Sequence, residues 1–149
     1  RILVDAGPDV LINGQSFETY FPRPDQSGGF PTGNYFTNRY KKFDSNWSPH
    51  SIAELNGQQV LIAKVEGKFV WHKHENEDEL FHVLTGMLKM QYRDKSIEVL
   101  PGEIIIVPKG VEHCPSAEEE TWILLFEPIS TKHTGSVVTE ITKNMYPKI

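Results

Sequence analysis

The chain has 149 residues, the usual size of one domain, and no second catalytic domain is expected. Its net charge of −5 is spread along the chain without a basic stripe, which argues against a nucleic-acid partner. The single cysteine, Cys114, excludes an intramolecular disulfide, and the longest apolar run, Ile104 to Val107, is too short to cross a bilayer. We therefore predict no nucleic-acid or membrane partner, and a cytoplasmic location is the default expectation.

The N-terminal region is rich in aromatic residues and is interrupted by a Pro/Gly-rich segment over residues 22–33. Short strands are predicted near residues 2–4 and 10–12. Because so much aromatic surface should not remain in water, residues 1–45 are predicted to form an arm that packs on the main body or on a second subunit. The main domain is predicted over residues 46–149.

From about Ser51 onward, short apolar segments alternate with turn residues at 66–67, 85–86, 93–95, 101–102 and 109–110. This spacing predicts an all-β sandwich or closed barrel. The predicted strands are Val60 to Val65, Lys68 to His74, Glu79 to Leu84, Met87 to Tyr92, Ser96 to Leu100, Ile104 to Val107 and Thr121 to Glu127.

Three histidines and one glutamate form a candidate metal site. His72 and His74 point to the same side of a predicted strand, because side chains two residues apart share a face. The polar residues 75–78 predict a turn, after which Glu79 returns as an oxygen donor, and His113 arrives from a distant strand. This donor set suits Fe, Mn, Ni, Cu or Zn and leaves one or two coordination positions open for water, dioxygen or substrate.

The same alternation turns Phe69, Trp71, Leu80 and Leu84 away from the site, together with His82. Both faces of the sheet would then be largely apolar, as in a sheet that is covered on both sides. The N-terminal arm, a partner subunit or both are predicted to cover the outer face, and a homodimer is the preferred quaternary state.

Few groups are available for acid–base chemistry at this site. Tyr92 is the candidate catalytic residue, with the unligated oxygen of Glu79 as the other group considered, although core packing is the simpler role for Tyr92. His50 and His133 lie in loop-like sequence and are predicted to be surface residues, and Cys114 is predicted to be a small buried residue.

The chain resembles the cupin superfamily at two motifs. The first motif is matched by Gly67, His72, His74, Glu79 and Gly86, and the second by Gly102, Pro108, Gly110 and His113. Gly67 is one residue closer to the first histidine than is usual, and Ala117 replaces a frequent Asn. The resemblance covers about residues 43 to 130 and is strongest to small single-domain cupins of the mannose-6-phosphate isomerase-like type.

This resemblance implies a double-stranded β-helix, that is, a jelly-roll barrel, with His72, His74, Glu79 and His113 around one divalent transition metal. Cupin chemistry is broad, so the fold does not choose the reaction. The leading expectation is a metal-dependent, dioxygenase-type enzyme acting on a small chelating molecule. The alternatives are a non-catalytic sugar-binding or sensing protein and a sugar-phosphate isomerase or lyase, for which Arg93, Lys95 or Lys109 would have to bind phosphate.

Overall fold

The computed structural model describes residues 11–12, 15–16 and 39–149. The chain divides into two compact units, Arg1–Lys41 and Lys42–Ile149. In the first unit, β1 (Leu11–Ile12) pairs antiparallel with β2 (Gln15–Ser16), and β1 falls within the strand predicted over residues 10–12. The strand predicted over residues 2–4 and most of the aromatic arm lie outside the described residues. The packing of that arm therefore stays a prediction.

The second unit is built from strands, turns and irregular segments, and residues 42–149 contain no helix. This confirms the predicted all-β class. Among the described residues, no helix is long and apolar enough to span a membrane. The strands of this unit are β3 (His50–Leu55), β4 (Gln58–Lys68), β5 (Glu79–Thr85), β6 (Leu88–Gln91), β7 (Ser96–Val99), β8 (Ile104–Val107) and β9 (Cys114–Pro128).

These strands form one seven-stranded sheet in which every pair is antiparallel. Its main path runs β3-β4-β9-β5-β8, while β6 joins β9 to β7. The main path ends at β3 and β8, which do not pair with each other, so the sheet does not close on itself. The closed barrel expected from the sequence is therefore not formed by strand pairing.

The long strand β9 organises the sheet, since it pairs with three other strands. Its first residues pair with β6 and with the end of β4, and its later residues lie between β4 and β5. Alternation along β9 buries Thr121, Ile123, Leu125 and Glu127 and leaves the side chains between them partly exposed. The core lies on this inner face, where buried residues of β4 to β9 form one apolar cluster.

The structure corrects the predictions at the start of the metal motif. Residues 66–67, predicted as a turn, belong to β4, which continues to Lys68 through a register shift against β9 between Val65 and Gly67. The strand predicted over residues 68–74 is not formed. A bulge places one extra residue in a strand and bends that strand. After the register shift, residues 69–78 form no regular strand, and their one bridge joins His72 to His113.

Strand β3 was not predicted, although the sequence contains a signal for it. Asn56 and Gly57 connect β3 to β4 as a two-residue turn. Asn-Gly between two extended segments is the strongest short-range indication of a β-hairpin. Strand β9 also begins seven residues earlier than predicted, because Cys114 to Ser116 pair with β6.

Gly86, at the turn from β5 to β6, permits a close approach between two parts of the backbone. Its φ is +78°, and a Cβ atom there would lie 2.9 Å from the Thr121 Cα. Thr121 is fully buried, and its Oγ1 accepts a hydrogen bond from the Met87 N–H at 3.1 Å. A side chain at position 86 would therefore push β9 away from this turn.

Candidate metal centre

The four predicted donors meet at one point. His72, His74, Glu79 and His113 are all buried, and one potential ligand atom from each lies within 4.8 Å of the others. Glu79 Oε2 is 3.2 Å from His74 Nε2 and 3.4 Å from His113 Nε2. These three atoms are nevertheless buried without a hydrogen bond of acceptable geometry. Buried polar atoms without partners are costly, and a cation at their meeting point would satisfy all three together.

Backbone contacts between two non-strand segments bring the histidines together. His72 and His113 exchange backbone hydrogen bonds of 3.0 and 2.9 Å, and the Gly110 N–H donates to the His74 carbonyl at 2.6 Å. The alternation expected of a strand thus holds locally, since His72 and His74 are buried while Lys73 is partly exposed. The predicted convergence is confirmed even though its predicted strand is wrong.

Two of the histidines have a fixed orientation for metal binding. His72 Nδ1 lies 3.0 Å from the Val70 carbonyl oxygen, and His113 Nδ1 lies 3.0 Å from that of Val111. A neutral imidazole that donates its Nδ1–H to a carbonyl presents the Nε2 lone pair to the opposite side. Metal-binding histidines are commonly held by such outer hydrogen bonds.

The protonation states also suit a cation. Burial, followed by the neighbouring His113, lowers the pKa of His72 to about 4, so His72 is neutral at pH 7. Burial would raise the pKa of Glu79, but its contacts with His113 and His74 outweigh burial and lower the pKa to about 2. A neutral imidazole and an ionised carboxylate are the forms that bind metals, so these residues fit the divalent metal expected from the sequence.

A small cavity of about 30 Å³ lies beside the donors. Its lining is apolar apart from His72, Glu79 and His133, with rings supplied by Trp47, Phe69 and Phe81. Phe69 is buried and meets His72 edge-on at a centroid distance of 5.2 Å. The prediction that Phe69 faces outward is therefore wrong, because regular strand alternation ends at Lys68.

A much larger groove, of about 850 Å³, is lined by residues that include Lys68, Lys89, Gln91 and Ser116. None of the four donors lines this groove. Its lining is mixed and carries both charges, including those of Lys68, Lys89 and Glu98, and it contains none of the histidines. The chemistry of the donor set therefore locates the candidate site at the small cavity.

Tyr92 lies apart from the described lining of this cavity. Its ring is partly buried against the core and lines a surface groove together with Lys95 and Glu112. Burial raises the pKa of the Tyr92 hydroxyl. The structure thus does not bring Tyr92 together with the donors, and its catalytic role stays a prediction.

The residues considered for phosphate binding have other partners. Arg93 donates two hydrogen bonds to the Glu112 carboxylate, at 2.7 and 3.0 Å, and lies 4.0 Å from the centroid of the Trp71 ring. Lys95 lies 5.8 Å from the Tyr92 ring centroid. Lys109 is exposed, and its backbone N–H donates to Asp78 Oδ1 at 2.9 Å.

Glu127 is a buried carboxyl group that the sequence analysis did not identify. Gln59 Nε2 donates to Glu127 Oε1 at 3.1 Å. Burial, followed by the negative charge of Glu79, raises the pKa of Glu127 well above its usual value. Tyr146 shares this environment, since burial and then the charges of Glu127 and Glu79 raise its pKa. The inward alternation from Ile123 through Leu125 could have identified Glu127.

His133 and His50 were predicted to be surface residues, and both predictions are wrong. His133 lines the cavity, and burial lowers its pKa to about 4 against the opposing effects of the Glu79 charge and the Ile141 carbonyl. His50 is buried and stacks on Phe43 at a centroid distance of 4.0 Å. Cys114 is buried as predicted, with its thiol 3.2 Å from the Phe69 carbonyl oxygen, and burial raises its pKa.

Comparisons with known proteins identify relatives of this unit. The family model described as the cupin domain matches residues 59–126. The chain is 38% identical over 77 residues to the uncharacterized protein YdbB of Bacillus subtilis (strain 168). That match covers 51% of this chain and 66% of YdbB, just under two thirds of the relative.

Solved structures show the same architecture. A cupin-2 domain containing protein from Shewanella frigidimarina NCIMB 400 is 46% identical with a TM-score of 0.62, and the match covers 62% of this chain and 91% of that protein. Protein NMB1881 from Neisseria meningitidis is 26% identical with a TM-score of 0.58, and the match covers 63% and 96% of the respective chains. The expected jelly-roll fold is thereby confirmed.

Proposed function

The chain belongs to the cupin superfamily, and on this basis we propose that it is a metal-dependent enzyme of dioxygenase type that acts on a small chelating molecule. The observation that carries this proposal is the convergence of His74 Nε2, His113 Nε2 and Glu79 Oε2, which are buried together without hydrogen-bond partners. A structural role would leave these atoms unsatisfied, whereas a metal would satisfy all of them.

His72, His74, Glu79 and His113 would hold the metal, which in such a site supplies Lewis-acid or redox chemistry at open coordination positions. The outer hydrogen bonds to the Val70 and Val111 carbonyls keep the His72 and His113 rings oriented before any ligand arrives. The apolar lining excludes water and strengthens electrostatic interactions at the donors. These residues therefore supply a reaction site with fixed donors and little room for water.

Glu127 supports this reaction site with a second acidic group. Burial and the negative charge of Glu79 raise the pKa of the Glu127 carboxyl well above its usual value, which favours the neutral form of Glu127 beside the Glu79 carboxylate. A protonated carboxyl group can also donate a proton. Glu127, which does not line the cavity but interacts with Glu79, is thus a better candidate than Tyr92 for acid chemistry next to the donors.

The sugar-phosphate alternative receives less support. A phosphate is normally bound by arginine, lysine or a helix N-terminus. No arginine or lysine occurs among the described residues that line the cavity, and Arg93 is paired with Glu112. We therefore favour an oxygen-dependent reaction over the isomerisation of a phosphorylated sugar.

Metal content followed by oxygen consumption tests the proposal. Protein purified without a chelating tag is analysed for Fe, Mn, Ni, Cu and Zn, and each reconstituted form is then assayed with 2-oxo acids, β-diketones and catechols. We expect about one metal per chain and oxygen uptake that requires both metal and substrate. His113→Ala should abolish both, whereas His82→Ala on the outer face should retain both. Binding of a compound without turnover in any metal form would favour a sensing protein instead.

The predicted homodimer also stays a proposal, and the outer face of β8 supports it. The side chains of Ile104 and Ile106 are 58% and 54% exposed, although both are large and apolar. Sedimentation of the full chain should give a dimer that dissociates in an Ile104→Glu, Ile106→Glu variant.

A further inference from the structure

The last 21 residues, which we call the C-terminal strap (residues 129–149), cross from the end of β9 to the edge of the sheet. At its start, the Ile129 N–H donates to the Gly57 carbonyl at 3.1 Å. At its end, Ser51 and residues 147–149 exchange two backbone hydrogen bonds, of 2.8 and 3.1 Å, beside β3. Both ends of the strap are therefore attached to the sheet.

Between these ends the strap is held mainly by its own turns. Thr134 Oγ1 lies 2.8 Å from Thr142 Oγ1, and Gly135 and Val137 donate backbone hydrogen bonds to residues three positions earlier. The described part of the strap contains no strand beyond the bridge at Lys148. Movement of the central part would therefore leave the strand pairing of the sheet intact, and its cost would come from exposing the buried Thr134 and the contacts that Tyr146 makes with the core.

This central part contacts the metal motif. A Cβ atom at Gly135 would collide with the Lys73 carbonyl oxygen and would lie 3.1 Å from the Lys73 carbonyl carbon. His133, two residues earlier, lines the cavity with His72 and Glu79. Its ring meets those of Phe69 and Tyr146 at centroid distances of 5.2 and 6.0 Å. The strap thus closes one side of the candidate site.

The size of the cavity shows that something must move for a substrate to enter. A volume of about 30 Å³ suits a single water molecule and is too small for a chelating organic molecule. Most of the remaining lining comes from strands, such as Val65 of β4 and Ile123 of β9, which are paired in the sheet. The strap is a part of the lining that can withdraw without breaking strand pairing.

The orientation of His133 favours a hydrogen-bond donor at the cavity. The Lys143 N–H donates to His133 Nδ1 at 3.2 Å, so the hydrogen of the neutral ring lies on Nε2. A donor in an apolar lining recognises an acceptor oxygen. The same ring would contribute little to the recognition of a hydrocarbon.

The charges of the site favour a ligand with one negative charge. Three imidazoles, which bind a metal in their neutral form, the Glu79 carboxylate and a divalent metal sum to one positive charge. An uncompensated charge in an apolar interior is costly. A monoanion would bring the closed site to neutrality.

We propose that the C-terminal strap is a lid, and that His133 Nε2–H on this lid binds an oxygen of a small monoanionic chelating ligand, such as a 2-hydroxy or 2-oxo monocarboxylate. This inference rests on the proposed metal site and deepens it by naming a ligand class. His133 is then a specificity-determining residue that contacts the ligand after closure. The Gly135 backbone allows the lid to seat against Lys73.

Ligand binding to the full chain loaded with Co²⁺ tests the role of His133, with glycolate as the probe and ethylene glycol as its neutral analogue. We expect glycolate to change the visible spectrum and to bind at least about tenfold more tightly than ethylene glycol. His133→Phe should weaken glycolate binding by about 10- to 100-fold, the usual value of a hydrogen bond to a charged group. His133→Gln, which keeps an N–H donor, should recover most of the loss, and Co²⁺ affinity should stay the same in both variants.

Hydrogen exchange on the same samples tests the lid. Glycolate should slow amide exchange over residues 131–143, and Gly135→Ala should prevent this slowing and speed glycolate release by about tenfold. Gly102→Ala is the matched control, because Gly102 also has a positive φ but has open space at its Cβ position.

The outcomes separate the two proposals. Failure of the wild-type chain to bind Co²⁺ would overturn the proposed function and this inference together. Normal Co²⁺ binding with no glycolate binding, or with equal glycolate affinity in the wild type and His133→Phe, would overturn the inference alone. Exchange over residues 131–143 that is unchanged by glycolate would overturn the lid.

Discussion

The donor cluster and the C-terminal strap border the same cavity but are held in different ways. His72 and His113 are joined by two backbone hydrogen bonds, and each ring is fixed by a further carbonyl contact. The strap is attached to the sheet by hydrogen bonds at its two ends, and its remaining backbone hydrogen bonds lie mainly within its own turns. The positions of the donor atoms are therefore fixed by the fold, whereas the strap can change its position without moving the donors.

Loss of one donor should give the largest effect and tests the constant geometry of the cluster. In His113→Ala, we expect Co²⁺ affinity to fall by more than about 100-fold, beyond the loss that is typical for an outer-shell partner. His82→Ala on the opposite face of β5 should bind Co²⁺ normally. Competition titration with a chromophoric chelator measures both. A loss of less than tenfold in His113→Ala would mean that the cluster does not act as one site.

Two glycine substitutions should separate the sheet from the strap. Gly86→Ala would force its new Cβ against Thr121 inside the sheet, and we expect the free energy of unfolding to fall by about 3 kcal/mol. Gly135→Ala creates a similar collision with Lys73, yet the strap can move away, so about 1 kcal/mol of backbone strain is the expected cost. Urea unfolding measures both, with Gly102→Ala as the control for a positive φ. Equal losses at positions 86 and 135 would contradict the difference between the regions.

Acid should destabilise the metal-free protein through one histidine of each region. The pKa values of His72 and His133 are about 4 in the folded chain, against a usual value of 6.5, so the unfolded chain binds more protons between these values. The free energy of unfolding should therefore fall as the pH is lowered from about 6.5 to about 4, by roughly 1.4 kcal/mol for each pKa unit. Urea unfolding at several pH values measures this decrease. His133→Phe should reduce it, and an unchanged decrease would mean that His133 is accessible to protons in the folded chain.

Glu127 should show a pH dependence of opposite sign. Because its pKa is raised in the folded chain, the folded state retains a proton that the unfolded state loses above about pH 4.5. The wild-type free energy of unfolding should therefore decrease through this group as the pH rises, and Glu127→Gln should remove that decrease. The variant should gain stability relative to the wild type between pH 5 and pH 8 in urea unfolding. A relative loss over this range would show that Glu127 is ionised in the folded chain.

The donor cluster could be predicted from the sequence because its geometry depends on short-range spacing. His72 and His74 share a face in any extended segment, whether or not that segment has a full set of strand partners. His113 was placed by resemblance to the cupin motifs, and its contact with His72 confirms that placement. The prediction of a strand over residues 68–74 was wrong, because alternation of side chains does not show whether a neighbouring strand is present to form backbone hydrogen bonds.

His133 could not be predicted in the same way. It is placed by a series of turns, the Lys143 N–H contact and the packing of rings from distant parts of the chain. Loop sequence carries no periodicity from which such a position can be read. Glu127 is an intermediate case, since its strand was predicted but the inward position of a carboxyl group within that strand was not recognised.

The burial of Cys114 makes its thiol a reporter of the opening of the sheet, separate from any movement of the strap. It lies in the first residue of β9 and is directed at the Phe69 carbonyl oxygen. Withdrawal of the strap leaves this strand in place, so an alkylating reagent should react with the thiol only when β9 detaches from the sheet. The rate of alkylation of this sulfur would therefore measure the opening of the sheet. Movement of the strap at the cavity would not change that rate.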